Sequence, residues 1–164
     1  VYGQAEVQHN LIKEVLNLVT PRNQHKITIY DDFIGYPFLS LYFPDQSGIT
    51  IPETPVSVFE SLFIALSYGY SHLTLAHERS ANQGNLYWGE LGQYVNHQWG
   101  KGFDAEKLIS RYIKENLLSN FKYFSILQPI YDFRIFTNLT RYPEVLSKIH
   151  SCNQQKPWCK KCAK

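Results

Sequence analysis

Methionine is absent from this 164-residue chain, and cysteine occurs three times, always near the carboxyl end. An odd, clustered set of cysteines excludes the paired framework of a small secreted disulfide scaffold and points to a reducing compartment. A domain of this size normally carries a few methionines. Their absence, in a chain that opens on Val1, suggests that written neighbours are not everywhere covalent neighbours. Charge is also sparse: charged residues make up 18%, and 16 basic against 14 acidic side chains leave a formal net charge of +2. That balance excludes the dense basic face of a nucleic-acid binder. No run approaches the ~20 apolar residues of a membrane helix, and no signal peptide opens the chain. The expected setting is the cytoplasm, with neither nucleic acid nor membrane as partner. Gly-x-Ser-x-Gly and Gly-x-Gly-x-x-Gly are both missing, so hydrolase and dinucleotide-binding readings lack support. There is no internal repeat. Asn138-Leu139-Thr140 matches a glycosylation acceptor, which we read as chance in a cytosolic chain.

What is present is ring-rich and globular. Hydrophobic residues reach 44% and aromatic ones 15%, with 12 Tyr and 10 Phe, enough for one domain with its own core. Apolar residues at helical spacing predict a helix over 5–19, closed by Thr20-Pro21. Lys26–Tyr30 reads as a short β-branched strand, and 31–52 as a loop rich in Gly and Pro. Thr54-Pro55 is a helix start, with Phe59, Leu62, Phe63 and Leu66 on its inner face and Gly69 as its cap. His72–Ala76 is a second strand. The polar stretch 77–102 is long for a structureless connection, which favours a functional loop. A helix over about 104–118 turns Leu108, Ile109, Tyr112 and Ile113 inward. Phe121–Ile126 is a third strand. Pro129 opens a helix striped by Ile130, Phe133, Phe136 and Leu139, and Pro143–Ile149 is a last helical piece. Strand and helix alternate, which favours a parallel sheet with helices packed on it. The division expected is an α/β domain over 1–150 and a cysteine-rich tail over 151–164. Ligands of such sheets bind beyond the carboxyl ends of the strands.

Polar residues gather at those ends. His77-Glu78-Arg79-Ser80-Ala81-Asn82 leaves the second strand. Glu78 suits Mg²⁺ or a substrate amine, and Arg79 a phosphate or carboxylate; the plain alternative is a solvated loop with a Glu–Arg pair. Asn96-His97-Gln98-Trp99-Gly100-Lys101-Gly102 precedes the next helix. Backbone N–H groups at a helix start attract phosphate, and Lys101 adds a point charge. The alternative is a glycine-relaxed turn with a satisfied His, and a Walker motif is absent. In Ser125-Ile126-Leu127-Gln128-Pro129, Gln128 either reads a nucleotide base or caps the turn.

Six residues separate Cys152 from Cys159, and two separate Cys159 from Cys162. Two thiolates across a two-residue gap can grip a tetrahedral ion, and the third adds to its shell, so structural zinc is favoured over a redox pair. A structural zinc site wants four ligands. The next x-x-Cys step falls on position 165, one beyond the end of the chain, and the fourth ligand is expected there.

Taken in order, Glu78-Arg79-Ser80-Ala81-Asn82, Asn96-His97-Gln98-Trp99-x-Lys101, Tyr123-Phe124-Ser125-Ile126-Leu127-Gln128-Pro129, Ser151-Cys152-Asn153 and Trp158-Cys159-x-x-Cys162-x-Lys164 resemble a known family. They look like the UDP-N-acetylmuramoyl-L-alanyl-L-glutamate epimerases of bacterial peptidoglycan synthesis, which belong with the PP-loop adenine nucleotide alpha hydrolases. The resemblance covers about residues 50–164. It implies a three-layer, doubly wound, mostly parallel sheet, with ATP, Mg²⁺ and a UDP-muramoyl-peptide-like substrate as partners. It implies that ATP adenylates the α-carboxylate of the terminal L-Glu, which acidifies the adjacent C–H. A base then removes that proton, and the other face is reprotonated before hydrolysis releases AMP. By the same resemblance Lys101 contacts phosphate and Glu78 a metal or the substrate. Arg79, Ser80, Asn82, Asn96, Gln98, Ser125 and Gln128 line the crevice. His97 is the candidate acid/base, since His titrates near neutrality. The family's phosphate loop, Ser-Gly-Gly-x-Asp-Ser, is not found here, and Gly102 stands where Ser commonly follows the Lys.

Two other readings remain open: a sister PP-loop enzyme resembling 7-cyano-7-deazaguanine synthase, which also adenylates a carboxylate and ends in zinc-holding cysteines, and a degenerate, non-catalytic nucleotide-fold module.

Overall fold

The computed structural model describes residues 2–30 and 53–149. The expected loop over 31–52 and the tail with Cys152, Cys159 and Cys162 lie outside the described residues. The chain divides into two units, 1–29 with 133–164 and 30–132.

The first unit holds helix α1 (Tyr2–Val19) and, from Phe133 onward, α4 (Asp132–Leu139) and α5 (Pro143–Leu146). Helix α1 matches the predicted span and stops where expected. Thr20 donates its N–H to the Leu16 carbonyl at 2.8 Å and sits at φ 44, the left-handed cap conformation that ends a helix. Pro21 cannot continue it. Lys148 and Glu14 form an ion pair at 2.8 Å, but both side chains are about half exposed, so it contributes little. Residues 26–30 do not form the predicted strand: the segment is irregular and exposed, with Ile27, Ile29 and Tyr30 open to solvent. β-branched composition favours a pleated surface only when a neighbouring strand supplies the ladder, and none of the described residues does so.

The second unit is built around helix α2 (Glu53–Ser67), strand β1 (His72–Leu75), helix α3 (Phe103–Tyr112) and strand β4 (Lys122–Ser125). Strands β1 and β4 pair in parallel, from His72 opposite Lys122 to Leu75 opposite Ser125. A single apolar cluster unites Val58, Leu62 and Ala65 of α2, Ile109 and Ile113 at α3, and Phe121 and Tyr123 at β4, with Leu73 and Leu75 of β1 against it. Both helices therefore cover one face of the strands, and Thr74, Lys122 and Phe124 point from the other face to solvent. The described residues thus make a mixed α/β unit of two layers on a two-stranded parallel sheet, and the three-layer, doubly wound sheet that the resemblance implies is not shown by them.

Each helix settles one step away from the face read from its largest residues. In α2 the buried side chains are Val58, Leu62 and Ala65, while Phe63 is 70% exposed and Leu66 is open as well. In α3 the buried line is Ala105, Ile109 and then Ile113, with Leu108 and Tyr112 about half exposed. Small or β-branched residues let the helix backbones approach the strands, and the bulky rings lie at the margin, where Tyr112 meets Phe59 edge-on at 6.0 Å. The α-helical ladder stops at Tyr112, and Ile113–Leu117 form a π turn closed by Leu118 N–H to the Ile113 carbonyl at 2.7 Å. Gly69 ends α2 at φ +73, with Tyr70 N–H reaching the Ala65 carbonyl at 2.8 Å, as predicted. Gln128 and Ile130 donate to the Ser125 and Leu127 carbonyls, so Pro129 lies in a turn and α4 begins only at Asp132; Phe133 of its predicted stripe is 77% exposed.

The polar stretch 77–102 is not structureless. It contains an antiparallel hairpin of β2 (Leu86–Trp88) and β3 (Gln93–Val95), flanked by 3-10 turns at Arg79–Asn82 and Trp99–Lys101.

Ile113 is fully buried where α2, α3 and β4 meet. Ile113→Ala is expected to lower stability by about 2–5 kcal/mol in urea unfolding, whereas Phe63→Ala, on the exposed side of α2, is expected to change it by less than about 1 kcal/mol.

Candidate functional site

The carboxyl ends of β1 and β4 face the same way because the strands are parallel, and the segments that leave them are tied together. Asn82 is the knot. Its Oδ1 accepts from Phe103 N–H at 2.5 Å, and its Nδ2 donates to the Gln128 Oε1 and to the Arg79 carbonyl, each at 3.0 Å. Gln128 Nε2 in turn donates to the Lys101 carbonyl at 3.2 Å. Arg79 N–H reaches the Ile130 carbonyl at 2.8 Å. Three segments distant in sequence, 79–82, 101–103 and 128–130, thereby share one rim.

Within this rim lies a cavity of about 510 Å³ bordered by Arg79, Asn82, Gln83, Phe103, Gln128 and Tyr131, among others. The Arg79 guanidinium rests over the Tyr131 ring, 5.0 Å from its centre. Cation–π contact holds the charge in place while leaving its N–H donors available.

The other expected residues take distinct positions. Glu78 caps the first 3-10 turn, its Oε2 accepting from Ser80 N–H at 2.5 Å. Ser80 Oγ accepts from Asp132 N–H at 3.5 Å. Asn96 braces the rim from behind: Nδ2 donates to the Ala81 carbonyl, and Oδ1 accepts from Gln98 N–H at 2.8 Å. Ser125 is buried beneath the rim at the end of β4. His97 is exposed, with Nδ1 2.7 Å from Asn85 Oδ1, and does not border the cavity. Lys101 is half-buried. Gly102 is buried where a Cβ would stand 3.1 Å from the Trp99 carbonyl oxygen and 3.4 Å from Asn82 Oδ1. The tight contact would be with the Trp99 carbonyl, while the distance to Asn82 Oδ1 is ordinary van der Waals contact. Among the described residues no group of three His, Cys, Asp or Glu side chains could hold a metal.

Three participants were given no role in the sequence reading. His77, the second residue after β1, is half-buried beside Lys101 and Glu78. Burial first, and then the Lys101 charge, press its pKa below the usual 6.5, and Glu78 offsets only part of this. Its place just past a strand end was the available signal. Tyr131 and Phe103, the rings at the cavity, had no local signal, because only the fold brings them to Arg79 and Asn82.

The His77 environment fixes a sign. Above about pH 6.5 the imidazole is neutral folded and unfolded; below it the unfolded chain takes up the proton first, so stability falls with acidification. Lys101→Met is expected to raise the His77 pKa measured by NMR titration, yet leave it below 6.5 because burial is the larger cause. An unchanged His77 titration in that variant would place the Lys101 charge elsewhere.

Comparison with known proteins bears on this rim. The MurL N-terminal domain family matches residues 49–126, which include both parallel strands and the polar stretch between them. Three curated relatives are each named UDP-N-acetyl-alpha-D-muramoyl-L-alanyl-L-glutamate epimerase. The one from Micromonospora sp. is 31% identical over 124 residues, 70% of this chain and 27% of the relative. That from Salinispora tropica is 29% identical over 121 residues, 70% and 26%. That from Xanthomonas oryzae pv. oryzae is 28% identical over 123 residues, 70% and 27%. The chain spans about a quarter of the length of these relatives. No solved structure matches. Over residues 49–126 the resemblance read from the motifs is borne out: this stretch matches the MurL N-terminal domain family and is similar to proteins named as muramoyl-dipeptide epimerases.

Proposed function

We propose that this chain supplies part of an ATP-dependent epimerase that adenylates the terminal L-Glu carboxylate of a UDP-muramoyl dipeptide and inverts its α-carbon, in the cytoplasm. The observation that carries the reading is the rim that joins Arg79, Asn82 and Gln128 beyond the ends of two parallel strands. Such a rim is where doubly wound folds take nucleotides. We assign the described two-layer unit to a larger sheet of the PP-loop kind on this ground and on the motif resemblance; the names of the relatives support the epimerase part of the reading.

The donors fit part of a nucleotide. Arg79 is available for a phosphate or carboxylate, and Gln128 keeps one amide hydrogen and one lone pair beyond the bonds it already makes. Lys101 adds positive charge at the helix start. Mg²⁺ would be held mainly through phosphate oxygens, since Glu78 already spends Oε2 on its cap and the described residues offer no acidic cage. When bound, ATP supplies the activation that makes the glutamyl C–H acidic. The chain's own part is to orient the carboxylate against Arg79 and to take up a proton. Neither histidine borders the rim cavity; for that second task we favour His77, which is half-buried beside Lys101 and Glu78 at the end of β1, over His97, which is exposed with Nδ1 engaged by Asn85. Asn82, Asn96 and Ser80 act as struts. The tail residues Cys152, Cys159 and Cys162 hold structural zinc in this reading, and metal analysis of purified chain is expected to find about one zinc per chain, reduced by Cys159→Ser.

ATP binding to the chain, followed by titration calorimetry, is expected to weaken at least about tenfold in Arg79→Ala, as loss of a charged donor would require. Unchanged affinity removes Arg79 from the site. With UDP-MurNAc-L-Ala-L-Glu added to the full-length protein, AMP, pyrophosphate and a D-Glu product are expected, and no AMP above background removes the epimerase reading. A non-catalytic nucleotide module is the second reading; it predicts ATP binding without AMP release, and absence of Ser-Gly-Gly-x-Asp-Ser from the full-length protein would support it.

A further inference from the structure

The large apolar side chains that close packing keeps out of the core collect in one place. Along α2, the second 3-10 turn and α3 runs an open groove of about 820 Å³, bordered by Phe59, Phe63, Trp99, Leu108, Tyr112 and Leu117, among others. Phe63, Trp99, Tyr112 and Leu117 are each at least half exposed. Apolar residues exposed singly need no explanation, but a contiguous patch of them marks an interaction surface. The groove shares no residue with the rim cavity.

Its margin carries one charge of each sign. Arg111 and Glu115 border the groove, four residues apart where α3 gives way to the π turn. Both are exposed, and neither forms an ion pair, with the other or with any other described residue. They also border a smaller polar cavity of about 380 Å³, so they stand on the ridge between the two. The π turn is what presents Glu115 and Leu117 here, and such distortions often mark functional positions. An apolar floor with a charged margin has the anatomy of a protein interface. Trp, Tyr and Arg, all present in this groove, are the residue types that most often carry binding energy in one.

The two charges narrow the choice of occupant. A neutral apolar ligand has nothing to offer either of them. A ligand with a single charge meets one and is repelled by the other. An unrelated protein would need a matching pair at the same spacing, whereas a second copy of this chain carries that pair by construction. Under a twofold axis passing between the two positions, Arg111 of each copy faces Glu115 of the other, and the two apolar floors cover one another. Exposed ion pairs contribute little by themselves, so burial of the rings supplies the affinity and the charges fix the register.

We propose that this groove is the contact surface of a twofold-symmetric homodimer, with the Phe63, Trp99 and Tyr112 rings covered and two reciprocal Arg111–Glu115 pairs at its margin.

Sedimentation velocity of the 164-residue chain over about 1–200 µM tests this, with dimer expected to form across the range. Phe63→Ala, at an exposed position, is expected to weaken dimerisation at least about tenfold. Arg111→Glu and Glu115→Arg, each alone, place like charges opposite one another twice per dimer and are expected to weaken it at least about tenfold. An equimolar mixture of those two variants restores both pairs, as does the double variant R111E/E115R, and both are expected to regain association. A chain that has merely misfolded could not do so. A monomer at every concentration would overturn the proposal and leave the groove to a different partner. A dimer that tolerates all three single substitutions would place the contact on another face and overturn it equally. Weakening in both charge variants without recovery in their mixture would overturn the reciprocal pairing. ATP binding at the rim is expected to be unchanged in Glu115→Arg, so failure of either reading leaves the other standing.

Discussion

The Asn82 amide is the interaction on which the described site depends. It bonds at once to the start of α3 through Phe103, to the turn after β4 through Gln128, and to its own 3-10 turn through Arg79. Loops at a sheet rim have no ladder to hold them, so their backbone groups need side-chain partners. A single carboxamide with two donors and an acceptor can serve three segments at once. Gln128 extends the tie to Lys101, and Asn96 anchors the 3-10 turn from the hairpin side. The Arg79 charge and the half-buried Lys101 are positioned by this frame.

Several polar residues therefore serve the site without being free to touch a ligand. Asn96, Glu78 and Ser80 bond to backbone groups, and Asn82 to two backbone groups and the Gln128 side chain. Arg79 is different, because stacking on Tyr131 uses its face and leaves its edge open. That division of labour, struts behind one exposed cation, is the usual requirement for a preorganised binding rim.

Helix α3 shapes three environments with three faces. Phe103 and Asp104 border the rim cavity. Ala105 and Ile109 enter the core, beside an apolar groove of about 820 Å³ that includes Phe59, Phe63 and Trp99. Glu106, Ser110 and Arg111 border the polar cavity. The π turn that follows ends the helix early and lets Ile113 fill the core. No helix among the described residues is long and apolar enough to cross a membrane.

Residue order alone settled much of this protein. Helical periodicity placed α1, α2 and α3; β-branched and aromatic runs placed β1 and β4; and the glycine at 69 marked the end of α2, because these signals act between neighbours a few residues apart. The motif series from Glu78 to Gln128 pointed to this rim through its resemblance to a family, not through any signal between neighbours. Tertiary structure alone decided which helix face turned inward, because close approach of backbones favoured Val58, Ala65 and Ala105 over larger rings. It refused a strand to Lys26–Tyr30, since a ladder needs a partner that composition cannot supply. It also brought Tyr131 and Phe103 to the rim, set Lys101 beside His77, and enclosed Glu106 with Tyr123, because each of these meetings joins residues that only the packing of α3 on β4 and the Asn82 tie make neighbours.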